Sequence, residues 1–157
     1  MKRIVFVGIC LLSFAVMAKE VSFPYFSALR YKETNLRAGP GERYPVLFVY
    51  KEPLYPVEVL DTYDHWFQVR EKDGTTGWVR KNALTKSRFV LIQEETALLA
   101  KSKEDARTLA YLQPNVIAKL LKCPKGKPFC QVQVDNMKGW VKKDNLWGIT
   151  PGEVVDG

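Results

Sequence analysis

Hydrophobic and polar residues alternate over short runs along most of this chain, and turn residues separate the runs. Phe67-Gln68-Val69-Arg70 alternates before the turn Asp73-Gly74, and Cys130-Gln131-Val132-Gln133-Val134 alternates before Asp135-Asn136. A period of two is typical of strands that bury one face, and a polar turn between two such runs indicates a hairpin. The pattern predicts an all-β chain made of short strands, with no convincing helical period.

The hairpin pattern occurs twice. Gly77-Trp78-Val79 returns as Gly139-Trp140-Val141, which is 62 positions later, and Leu84 returns as Leu146 at the same offset. A fixed internal period in a chain of 157 residues predicts two small units rather than one larger domain.

In the first unit we predict a strand at residues 27–31 that continues through 32–37, a short buried strand at 46–50 and another at 54–60. The loop Gly39-Pro40-Gly41 lies between the first two, and we expect its glycines to permit positive φ angles. The second unit repeats this order. Residues 98–111 could be imagined as a helix, but their apolar positions break up, and the repeat assigns them to a loop.

The first 18 residues are typical of a secretory signal. Lys2-Arg3 precedes the apolar run 4–17, and Val16-Met17-Ala18 predicts cleavage after Ala18. The apolar run is shorter than the roughly 20 residues that a membrane span needs, so an uncleaved anchor is the weaker interpretation. The predicted divisions are a signal peptide at 1–18, a flexible N-terminus at 19–24, a first unit at 25–86, a second at 87–150 and a C-terminal tail at 151–157. We expect an exported protein of the periplasm or cell envelope.

Cysteine usage supports export. Cys10 lies in the signal, which leaves Cys123 and Cys130 as an even pair in an oxidising compartment, and we predict a disulfide between them. Two buried free thiols are a weaker alternative. A zinc site is weaker still, because the spacing is not Cys-x-x-Cys and the only histidine, His65, belongs to the other unit.

The mature chain is basic. Removal of Lys2 and Arg3 leaves 22 basic against 17 acidic residues, a net charge of +5. Four of the lysines surround the predicted disulfide loop and form what we call the lysine cluster: Lys119, Lys122, Lys125 and Lys127. Such a cluster is usually solvated surface, but positive charge also favours anionic wall polymers or lipid head groups. Nucleic acid is a poor candidate, because no compact basic run with interleaved aromatic residues occurs.

The ordered motifs resemble exported bacterial SH3-like domain proteins of the tandem type. The matching pieces are Asn35-Leu36-Arg37-Ala38-Gly39-Pro40-Gly41, Tyr44-Pro45-Val46, Gly74-Thr75-Thr76-Gly77-Trp78-Val79, the pair Cys123 and Cys130, and Leu146-Trp147-Gly148-Ile149-Thr150-Pro151-Gly152-Glu153. The resemblance implies two SH3-like β-barrels of five or six strands, without catalytic activity. The second unit departs from the pattern: Ala97-Leu98-Leu99 stands where the first has Asn35-Leu36-Arg37.

Catalytic motifs are missing from the sequence. A cysteine peptidase would need a free cysteine near a histidine, and neither Gly-x-Ser-x-Gly nor His-Glu-x-x-His occurs. We therefore expect a protein that is not an enzyme and needs no cofactor or metal.

Aromatic residues of the first unit are the binding candidates. Tyr44, Tyr50, Tyr63 and Trp66, with the glycine-proline loop, are predicted to line a shallow groove for an extended peptide, as in SH3 barrels. Phe67 corresponds to Cys130, which should face inward, so the adjacent Trp66 is expected to point outward. Phe129 is the counterpart of Trp66 in the second unit.

The sequence leaves two roles open for Arg37 and for each of the repeated tryptophans. Arg37 either anchors the loop through backbone carbonyls or meets a ligand carboxylate. Trp78 and Trp140 are interpreted as packing residues more readily than as ligand contacts.

Two functional hypotheses follow. The first is a non-enzymatic cell-envelope module whose first barrel recognises a wall peptide or peptidoglycan fragment. The alternative is a periplasmic scaffold that docks a protein partner through its basic second unit. The sequence does not decide the oligomeric state.

Overall fold

The structure is a computed structural model, and it describes residues 22–156. The predicted signal peptide and its cleavage site therefore lie outside the described residues. Within 22–156, no helix is long and apolar enough to cross a membrane.

Fourteen strands form the described chain. Those of the first unit are β1 Tyr25–Leu29, β2 Thr34–Arg37, β3 Val46–Tyr50, β4 Pro56–Tyr63, β5 Trp66–Arg70, β6 Thr76–Arg80 and β7 Leu84–Thr85. Those of the second are β8 Phe89–Ile92, β9 Thr96–Leu99, β10 Thr108–Leu112, β11 Ile117–Lys122, β12 Phe129–Val134, β13 Met137–Lys142 and β14 Leu146–Trp147. A single 3-10 turn joins the last two strands of each unit, Lys81–Ala83 and Lys143–Asn145.

The two sheets have the same topology. The strand order is β3-β2-β6-β5-β4-β1-β7 in the first and β10-β9-β13-β12-β11-β8-β14 in the second, and the strand pairs are antiparallel. Adding seven to each label of the first order gives the second order, as a sequence repeat requires. The predicted all-β fold with two tandem SH3-like units is confirmed. Each sheet has seven strands and stays open at its ends, where the resemblance implied closed barrels of five or six strands.

Each unit has its own hydrophobic core. In the first, the buried residues are Leu29, Leu36, Tyr50, Val57, Val59, Val69, Val79 and Leu84. In the second, they include Val90, Ile92, Leu98, Ala118, Leu120, Cys123, Cys130, Val132, Val141 and Leu146. The units also touch each other: the rings of Phe26 and Trp147 meet edge to face, with centroids 5.1 Å apart.

The repeated glycine before each tryptophan has a steric cause. A Cβ added at Gly77 would lie 2.5 Å from the Leu36 side chain and 2.9 Å from the Arg37 carbonyl oxygen. At Gly139 the distances to Leu98 and to the Leu99 oxygen would be 2.6 and 2.9 Å. Strand β6 therefore approaches β2, and β13 approaches β9, only because these positions have no side chain.

Strand β3 differs from the prediction of a buried strand. It has the predicted bounds, but it is an edge strand, and Val46, Leu47 and Phe48 are 41, 54 and 51% exposed. A run of apolar residues does not distinguish a strand covered on both faces from one at the edge of a sheet.

The disulfide between Cys123 and Cys130 is present, with Cα atoms 4.4 Å apart, and the prediction is confirmed. It links the end of β11 to β12. The chain then returns to this point: Val155 exchanges backbone hydrogen bonds of 2.8 and 3.1 Å with Cys123. The Arg88 guanidinium also pairs with Glu153 and donates to the Gly148 carbonyl at 2.8 Å. The C-terminal residues are thus folded onto the second unit.

Candidate binding site of the first unit

A surface cleft of about 370 Å³ lies at the outer face of the first sheet. We call it the Trp66 cleft. Its walls are formed by Tyr31, Glu33, Thr34, Asn35, Arg37, Glu42, Trp66, Arg80, Asn82 and Ala83. These residues come from the β2 region, the following loop, the start of β5, and the end of β6 with its 3-10 turn.

Strand register assembles the cleft. Trp66 lies opposite Arg80 in the β5–β6 ladder, and Trp78 of β6 lies opposite Arg37 of β2. Since side chains alternate along a strand, these four lie on the face opposite to the core residues Val69 and Val79. The hairpin thus carries core residues on one face and candidate binding residues on the other.

Trp66 is buried, where we predicted an exposed ring. It belongs to the outer face, as expected from the inward position of Cys130, but it is only 6% exposed. The Arg80 guanidinium lies over the indole, 5.1 Å from the ring centroid, and Trp66 and Arg80 both line the cleft. Trp66 therefore forms the floor of the cleft and also packs as part of the fold. Its counterpart Phe129 is buried as well, at 2%.

Arg37 anchors the glycine-proline loop, which is one of the two predicted roles. Its Nη1 donates to the carbonyl oxygens of Glu42 and Tyr44 at 3.1 and 2.9 Å. These bonds hold the loop beside the cleft, and Arg37 also lines the cleft itself. The guanidinium is therefore a structural clamp at the rim.

Arg80 and Glu42 form an exposed ion pair across the cleft. The hydrogen bond from Arg80, together with its charge, holds the pKa of Glu42 below its ordinary value. Glu42 is therefore ionised at neutral pH. A ligand carboxylate can replace Glu42 on Arg80 at little cost, because exposed ion pairs contribute little to stability.

Tyr44 packs against the glycine-proline loop and is not among the residues that line the Trp66 cleft, where we predicted it. Its ring lies where a Cβ on Gly39 would stand, at 2.5 Å. Neither Gly39 nor Gly41 has a positive φ, so the prediction that these glycines provide unusual backbone angles is wrong. Gly39 is needed for space against the tyrosine ring.

Tyr50 and Tyr63 do not join the Trp66 cleft. The Tyr50 side chain is buried, and its hydroxyl donates to Glu71 Oε1 at 2.7 Å. Burial, followed by that hydrogen bond, raises the pKa of Tyr50 well above its ordinary value, and burial raises the pKa of Glu71. Tyr50 lines a separate depression of about 450 Å³ that also includes Asn115 and Ile117 of the second unit. Tyr63 is 63% exposed.

Trp78 and Trp140 lie in neither hydrophobic core. Both are half-buried on the outer faces of their sheets, opposite Arg37 and Leu99 respectively. They pack at the surface of the sheet, and neither is among the residues that line the Trp66 cleft.

Sequence reasoning missed Tyr31, Thr34, Glu42, Arg80 and Ala83. A comparison of the two copies at the 62-residue offset was the available signal. Glu42 and Arg80 become Glu104 and Lys142, which keep an ion pair at 2.9 Å between Nζ and Oε1. A charge pair that survives in both copies indicates two positions close in space.

The second unit has different residues at the positions that correspond to the cleft. Arg37 is replaced by Leu99 and Trp66 by Phe129, and both replacements are buried. Asn145, whose side chain donates to Thr96 Oγ1 at 2.7 Å, stands where the first unit has Ala83. Within residues 22–156, no group of three or more His, Cys, Asp or Glu residues is placed to hold a metal ion.

Solved structures and one family model are similar to parts of this chain. Two solved structures from Trichomonas vaginalis, NlpC1 and NlpC2, are similar to this chain, each with a TM-score of 0.36 and 14% sequence identity. The matches cover 88 and 82% of this chain but 51 and 49% of NlpC1 and NlpC2, so the chain spans about half the length of these proteins. A comparison with curated proteins found no match. Residues 30–86 match the family model described as bacterial SH3 domain, so the first unit contains a bacterial SH3 domain.

Proposed function

We propose that this protein is a non-enzymatic binding module of the cell envelope, and that its first unit holds a wall peptide or peptidoglycan fragment in the Trp66 cleft. The supporting observation is that the cleft lies in the unit that matches the bacterial SH3 family model. The second unit has other residues at the corresponding positions: Leu99, Phe129 and Asn145. Bacterial SH3 domains often bind the cell wall and are often extracellular.

The walls of the cleft suit a peptide. Arg80 provides a cation for a carboxylate, the amides of Asn35 and Asn82 can pair with a peptide backbone, and Tyr31 adds a half-exposed ring. A shallow site with an aromatic floor and a few polar groups is typical of peptide recognition by preformed surfaces.

Binding without catalysis is consistent with the composition of the cleft. The residues that line it include no cysteine, serine or histidine, and its carboxylates Glu33 and Glu42 and the hydroxyl of Thr34 lack a histidine partner there. Incubation of the pure protein with labelled muropeptides tests this part: the expected result is that no product forms, and turnover would contradict it.

The position of Arg80 in the repeat gives a matched binding experiment. We expect Arg80→Gln to weaken binding to purified peptidoglycan about tenfold, which corresponds to loss of one charge-assisted hydrogen bond. Lys142→Gln changes the equivalent residue of the second unit and should leave binding unchanged. Sedimentation with insoluble peptidoglycan measures both. Absence of binding by the unaltered chain, or equal losses in the two variants, would overturn the proposal.

The lysine cluster supports the second candidate, a scaffold that docks a protein partner through the second unit. Its four lysines are exposed, and none of them is among the ion pairs of the described residues. Cross-linking in intact envelopes distinguishes the candidates. Loss of cross-links in Lys125→Gln/Lys127→Gln, with peptidoglycan binding absent, would favour docking.

A further inference from the structure

One threonine of the repeat has a hydrogen-bond partner in the second unit and lacks one in the first. Thr34 begins β2, and Thr96 begins β9 at the 62-residue offset. Thr96 Oγ1 accepts a hydrogen bond of 2.7 Å from Asn145 Nδ2. Thr34 is 6% exposed, and its Oγ1 is buried without a hydrogen-bond partner within the described part of the chain.

The difference arises from the residue that ends the 3-10 turn. That residue is Asn145 in the turn Lys143–Asn145 and Ala83 in the turn Lys81–Ala83. Thr34 and Ala83 both line the Trp66 cleft. The place that a carboxamide fills in the second unit is therefore part of the open cleft in the first.

A buried hydroxyl is unfavourable without a partner and becomes stabilising when a donor or acceptor meets it. Thr34 Oγ1 has almost no accessible surface. A ligand group that displaces what covers this hydroxyl would form the bond that corresponds to the one between Asn145 and Thr96. The Asn145 side chain of the second unit thus occupies the position that a ligand group would take in the first unit.

The charges around the cleft favour a neutral group at this position. Arg37 already donates to two backbone carbonyls, and neither Arg37 nor Arg80 donates to Thr34 Oγ1. A carboxylate next to Thr34 would lose its hydration without a cation dedicated to it, whereas an uncharged amide loses much less. An amide also carries both a donor and an acceptor, as Asn145 does.

We propose that the ligand of the Trp66 cleft carries a primary carboxamide on a short stem, and that this group pairs with Thr34 Oγ1 where Asn145 would stand. The inference rests on the proposed function for the cleft as a binding site, and it names the group that the site selects.

The first test places an asparagine side chain of the protein itself beside Thr34. Ala83→Asn should raise the melting temperature of the disulfide-bonded chain by about 2–4 °C, because the new amide gives Thr34 its partner. The rise should be absent when Ala83→Asn is combined with Thr34→Val, which removes the hydroxyl and keeps the shape of the side chain. An equal rise in both backgrounds, or no rise in either, would contradict the pairing.

The second test uses two probes that differ only in one group: N-acetylasparagine methylamide and N-acetylaspartate methylamide. Each is titrated into the isotope-labelled full chain while backbone amide signals are followed by NMR. The asparagine probe should shift the signals of Thr34 and Ala83, and the aspartate probe should bind at least about tenfold more weakly. Thr34→Val should remove the preference, and Ala83→Asn should remove binding of the asparagine probe.

The second unit supplies the matched control. Asn145→Ala should free Thr96, so that the asparagine probe now shifts the Thr96 signal as well. Equal affinity for the two probes, or shifts that persist in Ala83→Asn, would overturn the amide assignment. Failure of the amide assignment can be distinguished from failure of the proposed function. If the chain binds the asparagine probe at Thr34 but does not bind peptidoglycan, the amide site is supported and the proposed function is contradicted. If Ala83→Asn binds peptidoglycan as well as the unaltered chain does, the amide site is contradicted.

Discussion

The two units of this protein share one framework and differ in what they place on its outer face. In both, a glycine lets the last long strand approach the second strand, and valine and leucine residues fill matching core positions. On the outer face, the first unit has Arg37, Trp66 and Ala83 where the second has Leu99, Phe129 and Asn145. The two units therefore share the residues that determine the fold, whereas the residues around the cleft differ.

The units also differ in how they are stabilised. The second has a disulfide, a returning C-terminal segment and the half-buried Arg88–Glu153 pair. The first has a cluster of aromatic rings, in which Tyr50 contacts Phe48 and Tyr55 with centroids 5.1 and 5.7 Å apart. Small units need such additions, since a chain of about 60 residues buries a limited core.

The largest predicted effect tests whether the buried aromatic residue at the start of β5 and β12 belongs to the shared framework. Trp66→Ala should lower the free energy of unfolding by about 3–5 kcal/mol, because a large buried side chain leaves a cavity. Phe129→Ala should cost a similar amount in the second unit. Denaturant titration with hydrogen exchange assigns each loss to its unit. A change below about 1 kcal/mol for Trp66→Ala would show that the ring is a ligand contact alone.

The next effect concerns the disulfide of the second unit. Cys130→Ser should destabilise that unit by roughly 2–4 kcal/mol, through loss of the loop constraint at a buried position. Hydrogen exchange should accelerate in β8 to β14 and stay unchanged around the Trp66 cleft. Faster exchange in both units would show that the two hydrophobic cores unfold together, although they are separate in the structure.

A smaller, pH-dependent effect distinguishes the half-buried ion pair from an exposed one. Burial raises the pKa of Glu153, but hydrogen bonds from Arg88 and Thr150 outweigh it, so that the pKa is lowered overall. A lowered pKa in the folded state gives stability that is present above the ordinary value and lost as the pH falls through the folded value. Glu153→Gln should therefore cost about 1–2 kcal/mol at pH 7, and the difference should shrink as the pH falls below 4.5 and through the folded value.

Glu42→Gln in the first unit is the control for this effect. Glu42 also has a lowered pKa, yet it is exposed, and solvent screens its pairing with Arg80. Thermal melts across the same pH range should show no measurable change for this variant. A pH-dependent loss equal to that of Glu153→Gln would remove the distinction between the two pairs.

The repeat made the framework predictable, whereas the site required contacts between distant segments. The 62-residue offset and the alternation at Phe67 and Val69 were sufficient to predict two matching β-sheets. Alternation also gave the correct face for Trp66, but it contains no information about what covers that face. The covering residues, among them Arg80 and Glu42, lie 38 positions apart in sequence. Predicting the unpartnered Thr34 would have required comparing Ala83 with Asn145, which have no distinctive motif.

The contact between Phe26 and Trp147 bears on the order in which the chain folds. Each sheet is formed by one continuous stretch, so the first sheet can form as soon as residue 85 is available, before the second stretch is complete. Phe26 of β1, however, is covered in part by a ring from β14, the last strand of the other sheet. Until that strand arrives, the early-formed unit displays an apolar side chain. A chain in which only the first unit has folded therefore exposes more of the Phe26 ring than the complete fold does.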